Sequence, residues 1–416
     1  KGHADVSYGR TDSSLFYYAK PTPNAANGTG MIGYAEEPKI LTAGGAFDSP
    51  QSVTVEVPEG CSVTYTTDGT DPTESSSKYS GPISISKTTP LRVRAFKSGY
   101  NGSDIASQTY IIYTGESTVE NHHYALPVVS IVTDPENFWD PTTGIYVIGE
   151  EYAAASGQLP TDITMTAGMN DPNWNLVNFN AQPKSHPDPL GREWERNVHF
   201  DYIDANGVSL YSGDGVVQIQ GQYSRNKEQK GMALIAKGAY GDSSFDYPFF
   251  ENRTATSYKD LVLRASAQDA TNSRIRDNLI TTLFEEGDDG LPENRDVAVQ
   301  AHKQVVVLIN GKYWGVYDFM ERIKEDFIAS RFNLSNPDSV DLLYGNGNEF
   351  CVLAGNGWED YTEMVEWAGS HDLSNASNYD HISSLMDVEN YATYVAAEII
   401  VGNSDSGNVK YWRSAE

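Results

Sequence analysis

The chain's best candidates for chemistry are two charged clusters. The first is a basic turn, Gln222-Tyr223-Ser224-Arg225-Asn226-Lys227-Glu228-Gln229-Lys230, between Gly221 and Gly231, with Lys237 just beyond. A glycine-flanked turn carrying Lys and Arg between two strands can lie over phosphates, because backbone amides and cationic heads together make an anion site. The same residues also suit a solvated hairpin tip, and both readings stay open. The second cluster is Glu321-Arg322, at the far end of Leu308–Arg322. It reads either as an ion pair opening a helix over Ile323–Phe332, where Glu suits the first turn, or as part of a phosphate site.

The second cluster is carried by Val305–Ile309 and Tyr313–Phe319, β-prone runs joined by Asn310-Gly311. Asn-Gly between two such runs predicts a tight hairpin, since both residues tolerate positive φ. The basic turn lies between the runs Val216–Gly221 and Met232–Lys237. Further strands are predicted at Leu126–Thr133, His199–Ile203 and Leu261–Arg264. Helices are predicted from Arg274 to Phe284 and over Val388–Val401, the latter ending at Gly402 as its C-cap. Residues 150–191 form a long polar stretch without periodicity.

Composition bounds the possibilities. A chain of 416 residues with 39% hydrophobic and 11% aromatic content implies two or three packed domains. Its 29 basic and 57 acidic residues give a net charge of −28, which argues against nucleic acid and anionic membranes as partners. No run is long and apolar enough to span a bilayer. Cys61 and Cys351 fall in separate predicted domains, so neither a disulfide framework nor a zinc site is expected. The abrupt start at Lys1 suggests a piece of a longer chain.

In order, Val6–Gly30 holds one short apolar run, Leu15–Ala19, before Pro21-Thr22-Pro23-Asn24-Ala25-Ala26-Asn27, and reads as a lone strand and linker. It resembles the closing strand and tail of a lamin-tail domain. From Pro38 to Tyr113 short alternating runs (Ser52–Val57, Ser62–Thr67, Ile83–Ile85, Leu91–Phe96, Gln108–Tyr113) are separated by turn clusters, which predicts a small β-sandwich. Its Tyr65–Thr73, Tyr79–Ile83 and Arg94–Tyr100 resemble the immunoglobulin-like domain at the C-terminus of chitobiases and β-hexosaminidases. Asp68, Asp71 and Glu74 offer oxygens for calcium, but their spacing fits no EF-hand loop and suits ordinary turn chemistry.

From Leu126 onward, Leu126–Val147, Gly191–Asn206, Gln218–Lys237, Leu263–Leu279, Asn310–Ile323 and Glu398–Arg413 together resemble the CotH kinase-like family, named for spore coat protein H. That resemblance implies an atypical protein-kinase-like fold using ATP and Mg²⁺. It assigns Arg225 and Lys230 to the nucleotide phosphates and Glu321 to orienting a phosphate-binding lysine. Asp405 becomes the catalytic carboxylate, and Asn408, on the same loop, a metal ligand beside it. An Asp-x-x-Asn loop can bring both oxygens to one metal, although Asn403–Asn408 is also ordinary turn composition. The family continues into a second acidic cluster that would follow Glu416, so this chain is expected to be inactive as it stands.

The sequence therefore predicts a multidomain bacterial protein, secreted or at the cell surface. Residues 1–37 are a lamin-tail remnant and linker, 38–114 an all-β immunoglobulin-like sandwich, 115–125 a linker, and 126–416 an α+β kinase-like domain incomplete at its C-terminus. The function expected is transfer of the ATP γ-phosphate to hydroxyls of surface or secreted proteins. The alternative is a non-catalytic scaffold or carbohydrate-associated protein, with Trp139, Trp174, Trp194 and Trp358 as sugar-stacking candidates.

Overall fold

The computed structural model describes residues 6–11, 14–18, 22, 24–114, 123–141, 143–147, 195–221, 224, 227–266, 269, 272–286, 297–346, 349–404, 407 and 409–416. The chain divides into two compact units. One comprises Lys1–Phe249, Thr256–Gln268 and Lys303–Phe319; the other comprises Phe250–Ala255, Asp269–His302 and Met320–Glu416. Among the described residues no helix is long and apolar enough to cross a membrane.

The first unit begins with an antiparallel hairpin of β1 (Ser7–Thr11) and β2 (Ser14–Tyr18). The lone strand expected here is thus one of a pair. β1 escaped notice because Ser-Tyr-Gly-Arg-Thr carries almost no apolar signal. The sandwich follows, with β3 (Lys39–Ile40), β4 (Gly45–Phe47), β5 (Gln51–Val53), β6 (Val55–Glu56), β7 (Ser62–Thr66), β8 (Ser77–Lys78), β9 (Ile83–Ile85), β10 (Thr89–Phe96) and β11 (Ile105–Ile112). Its main sheet runs β4-β11-β10-β7-β8. Alternation along these strands drives Val53, Val63, Ile85, Leu91, Val93, Tyr110 and Ile112 into one core.

A closed barrel completes this unit: β12 (Val128–Val132), β13 (Arg196–Ile203), β14 (Ser209–Gln220), β15 (Gly231–Ile235), β16 (Asp260–Arg264), β17 (His302–Ile309) and β18 (Lys312–Glu321), in the order β12-β13-β14-β15-β16-β18-β17. Antiparallel pairing carries the chain from β12 through β16. The ring closes when β17 pairs in parallel with β12, Val128 opposite Val306 and Ile131 opposite Ile309. Closure removes the free edges an open sheet would present. β13 sorts its side chains by parity. Phe200 and Tyr202 join Phe245, Phe249 and Phe319 in an aromatic cluster, whereas His199, Asp201 and Ile203 face the other way. A short helix, α1 (Glu136–Trp139), follows β12.

The second unit contains α2 (Arg276–Glu286), α3 (Glu325–Phe332), α4 (Trp358–Ser370), α5 (Ala376–Ser383) and α6 (Val388–Val401), with a sheet of β19 (Val340–Asn346), β20 (Glu349–Ala354) and β21 (Val409–Ser414) ordered β20-β19-β21. Phe327, Ile328, Val340 and Leu342 form its buried centre, with Phe332 and Trp412 packed against it. Asp387 caps α6 by accepting the Asn390 amide at 2.9 Å.

Candidate functional site

The Asn310-Gly311 turn forms as its composition demands. Asn310 lies at φ 49° and Gly311 at φ 75°, both in the left-handed region, the pattern of a type I′ hairpin turn. Asn310 also bonds outward: its Oδ1 accepts the Thr133 amide at 3.0 Å and its Nδ2 donates to the Thr133 carbonyl at 2.9 Å.

The basic turn joins β14 to β15, whose pairing ends at Gln220 opposite Gly231. Gly221 takes φ 110°, where a side chain would be strained and a Cβ would collide with Ser224. Lys230 does not point into solvent but is 3% exposed. Its Nζ donates to the Lys227 carbonyl at 2.7 Å and stands 5.3 Å from the centre of the Tyr146 ring. Tyr146 anchors this corner. Its hydroxyl accepts from the Lys230 amide at 2.9 Å and from the Trp314 indole at 2.8 Å, and donates to the Glu228 carbonyl at 2.9 Å. Burial pushes the Lys230 ammonium down to about 7, against the pull of Glu228. Lys237, at the far side of the turn, pairs with Glu195. Arg225 lies outside the described residues.

Glu321 ends β18 in the second unit and is 6% exposed. Its Oε2 accepts from Arg253 Nε at 3.0 Å and from the Ala301 amide at 2.7 Å, and its carbonyl accepts from the Gln300 side chain. Burial raises its carboxyl; the Ala301 amide and the Arg253 guanidinium oppose that rise. The ion pair expected to open the following helix is therefore different. Glu321 meets Arg253, distant in sequence, and α3 starts only at Glu325, whose first turn holds Glu325 and Asp326. Arg253 also donates to the carbonyl of Val299 at 2.9 Å, so the pair ties two connecting segments to the strand end. Lys230 and Glu321 belong to different units. Asp405 and Asn408 lie outside the described residues, so the catalytic and metal assignments rest on the sequence.

A further cluster went unread in the sequence. Cross-strand register sets His199 opposite Asp214 and Asp201 opposite Ser212 on one face of β13 and β14. His199 Nδ1 donates to Asp214 at 2.8 Å, and its Nε2 lies 3.2 Å from Asp201 Oδ1 and 3.0 Å from Ser212 Oγ. Ser212 donates to Asp201 at 2.8 Å, and Asp201's other oxygen accepts the Thr109 amide at 2.9 Å. Burial alone would lower the imidazole, but the charges and hydrogen bonds of Asp201 and Asp214 outweigh it and hold His199 up at about 10. The connectivity Ser212–His199–Asp214 is that of a nucleophilic triad. The Ser212 hydroxyl directs its proton to Asp201, and the imidazole is held between two carboxylates that favour its charged form, so the arrangement reads as an ionic knot rather than a relay. The signal was present in the alternation His-Phe-Asp and Ser-Gly-Asp, two polar residues two apart in each of two apolar strands flanking Asn206-Gly207.

The remaining candidates resolve simply. In the Asp-rich turn Asp71 pairs with Arg92, and Asp68 Oδ1 accepts from the Thr70 amide at 3.1 Å, as turn chemistry predicts. Among the described residues no group of three or more His, Cys, Asp or Glu is gathered to hold a metal. Cys61 is a free thiol. Trp139 packs 5.2 Å from Tyr146 and 5.3 Å from Trp314 between ring centres, and Trp358 is 39% exposed. Trp174 and Trp194 lie outside the described residues.

Residues 42–107 match the chitobiase/beta-hexosaminidase C-terminal domain, and residues 217–416 match the CotH kinase protein family. No curated protein matches the chain. The CotH match opens inside β14 and takes in the basic turn, the β17–β18 hairpin and all of α2 to α6; β12 and β13 precede it. The chain thus has a two-domain architecture, a β-rich chitobiase/beta-hexosaminidase C-terminal domain followed by a domain of the CotH kinase protein family.

Proposed function

We propose that the chain belongs to a kinase-like phosphotransferase acting on hydroxyls of secreted or surface proteins, with its nucleotide phosphates held at the β14–β15 turn. The observation that carries this reading is Lys230. A chain of charge −28 keeps a lysine buried on a glycine-flanked turn inside its CotH-family segment. Burying an ammonium costs several kcal/mol, which a plain hairpin tip has no reason to bear. Lys230 fits an anionic ligand, whose charge would offset that cost, and Arg225 would share the load. Asp405 would take the proton of the acceptor hydroxyl, and Asp405 with Asn408 would hold Mg²⁺. ATP would supply the phosphoryl group.

The test follows labelled γ-phosphate from Mg-ATP to a Ser-rich protein, using a chain extended past Glu416, with Lys230→Met and Asp405→Ala alongside. Transfer lost in Asp405→Ala and nucleotide binding lost in Lys230→Met are expected. A chain that neither binds nucleotide nor transfers phosphate would sink the reading. A second reading, a scaffold that keeps a kinase-like fold without turnover, draws on Glu321. Its carboxylate is engaged by Arg253 and the Ala301 amide, which favours a structural role for it.

A further inference from the structure

Strand β11 is buried on both faces. Tyr110 and Ile112 enter the sandwich core. Ile111, between them and 0% exposed, instead joins Val128 of β12, Ile203 of β13, and Val306 and Leu308 of β17. Those three strands are neighbours in the barrel, so one sheet of the sandwich packs face to face on one wall of the barrel. Polar contacts fix the register of this packing. The Thr109 amide donates to Asp201, and its hydroxyl lies 2.9 Å from that of Ser130. The Asp71 amide donates to Asp134 at 3.0 Å, and the Ala46 amide to the Gly207 carbonyl at 2.8 Å. At the hairpin turn, Gly69 lies directly against the Asn310 side chain, and Pro90 against Gly311.

We infer that the chitobiase-type sandwich is a fixed brace on the barrel, holding the β17–β18 hairpin in place, and that its inner sheet face is closed to glycans. A module tethered by a linker would meet its neighbour through a modest, mostly polar contact and keep its own apolar core separate. Here the apolar cluster is shared, and the ionic knot of His199, Asp201 and Asp214 lies against the same strand, β11.

Native-state amide exchange on the whole chain tests this without reference to phosphotransfer, so its outcome is independent of the kinase reading. The Val306 and Asn310 amides, bonded to the carbonyls of Pro127 and Ile131, report the hairpin. Ile85→Ala perturbs the sandwich's own core alone, and Ile111→Val trims only the shared cluster. Both variants are expected to speed exchange at Val306 and Asn310, Ile85→Ala by about tenfold or more. Exchange that rises only within β5, β7, β9 and β10 in Ile85→Ala would overturn the brace and leave two independent modules. Titration with a chitin oligosaccharide supplies the second arm. Protection or shifts on β11 and β13 amides would overturn the claim that this face is closed; none is expected.

Discussion

Replacing Lys230 by Met should turn a flat pH profile of barrel stability into a falling one. His199 holds its proton to about pH 10 in the fold, against 6.5 ordinarily. Its stabilising contribution is therefore complete below pH 6.5 and is lost as pH rises through 10. Lys230 titrates at about 7 in the fold, against 10.5 ordinarily. Its burial penalty is complete below pH 7 and is relieved as pH climbs towards 10.5. Each group makes the folded and unfolded states differ by about half a proton to one proton at pH 7 and by nearly one from pH 8 to 9. A one-proton difference is worth about 1.4 kcal/mol per pH unit. Over that window His199 removes about 2–3 kcal/mol and Lys230 returns a similar amount, so the two cancel to within about 1 kcal/mol. Lys230→Met exposes the His199 slope, and stability falls by about 2–3 kcal/mol from pH 7 to 9. His199→Gln exposes the Lys230 slope, and stability rises by the same amount, from a starting point lowered about 3–5 kcal/mol by leaving the buried Asp201 carboxylate without its cation. Native-state exchange of β12, β13 and β17 peptides at pH 7, 8 and 9, corrected for intrinsic rates, measures barrel opening alone. Three parallel profiles would refute the argument.

In the second unit, Arg253→Ala should cost about 3–5 kcal/mol, read from a urea midpoint, because it strands the buried Glu321 carboxylate. Arg253→Lys should recover only part of this, since the guanidinium also reaches the Val299 carbonyl. Asp387→Ala should cost about 1 kcal/mol and fray the first turn of α6, seen as faster exchange of the Asn390 amide.

What the sequence made legible was local. Asn310-Gly311 forms the predicted turn, Ile83–Ile85 and Val388–Val401 fall where their periods put them, and Gly402 caps the helix at φ 65°. α4 and α5 went unread because almost none of their side chains is fully buried, Ile382 alone in α5 and none in α4, so tertiary packing leaves little trace in their pattern. Barrel closure was invisible for another reason. It depends on a parallel match between β12 and β17, and nothing local in either run names its partner. The same limit hid the ionic knot, where each polar residue looks like ordinary alternation until register sets His199 across from Asp214. Lys230 was singled out in the sequence as part of the basic turn, but its burial was not read. A lysine on a turn reads as solvated, whereas the Tyr146 corner draws it inward.

The parallel closure of β12 on β17 also sets a schedule for synthesis. About 180 residues separate the paired strands, so a ribosome adding roughly 5–20 residues per second leaves β12 without its closing neighbour for about 10–35 s. During that interval β13 covers one edge of β12, and the edge that β17 will take stays open and prone to mispairing. The sandwich is already outside the tunnel by then, presenting Thr109 and Ile111 to β12. An arm that braces the finished barrel thus also shields its first stave while the rest is being made.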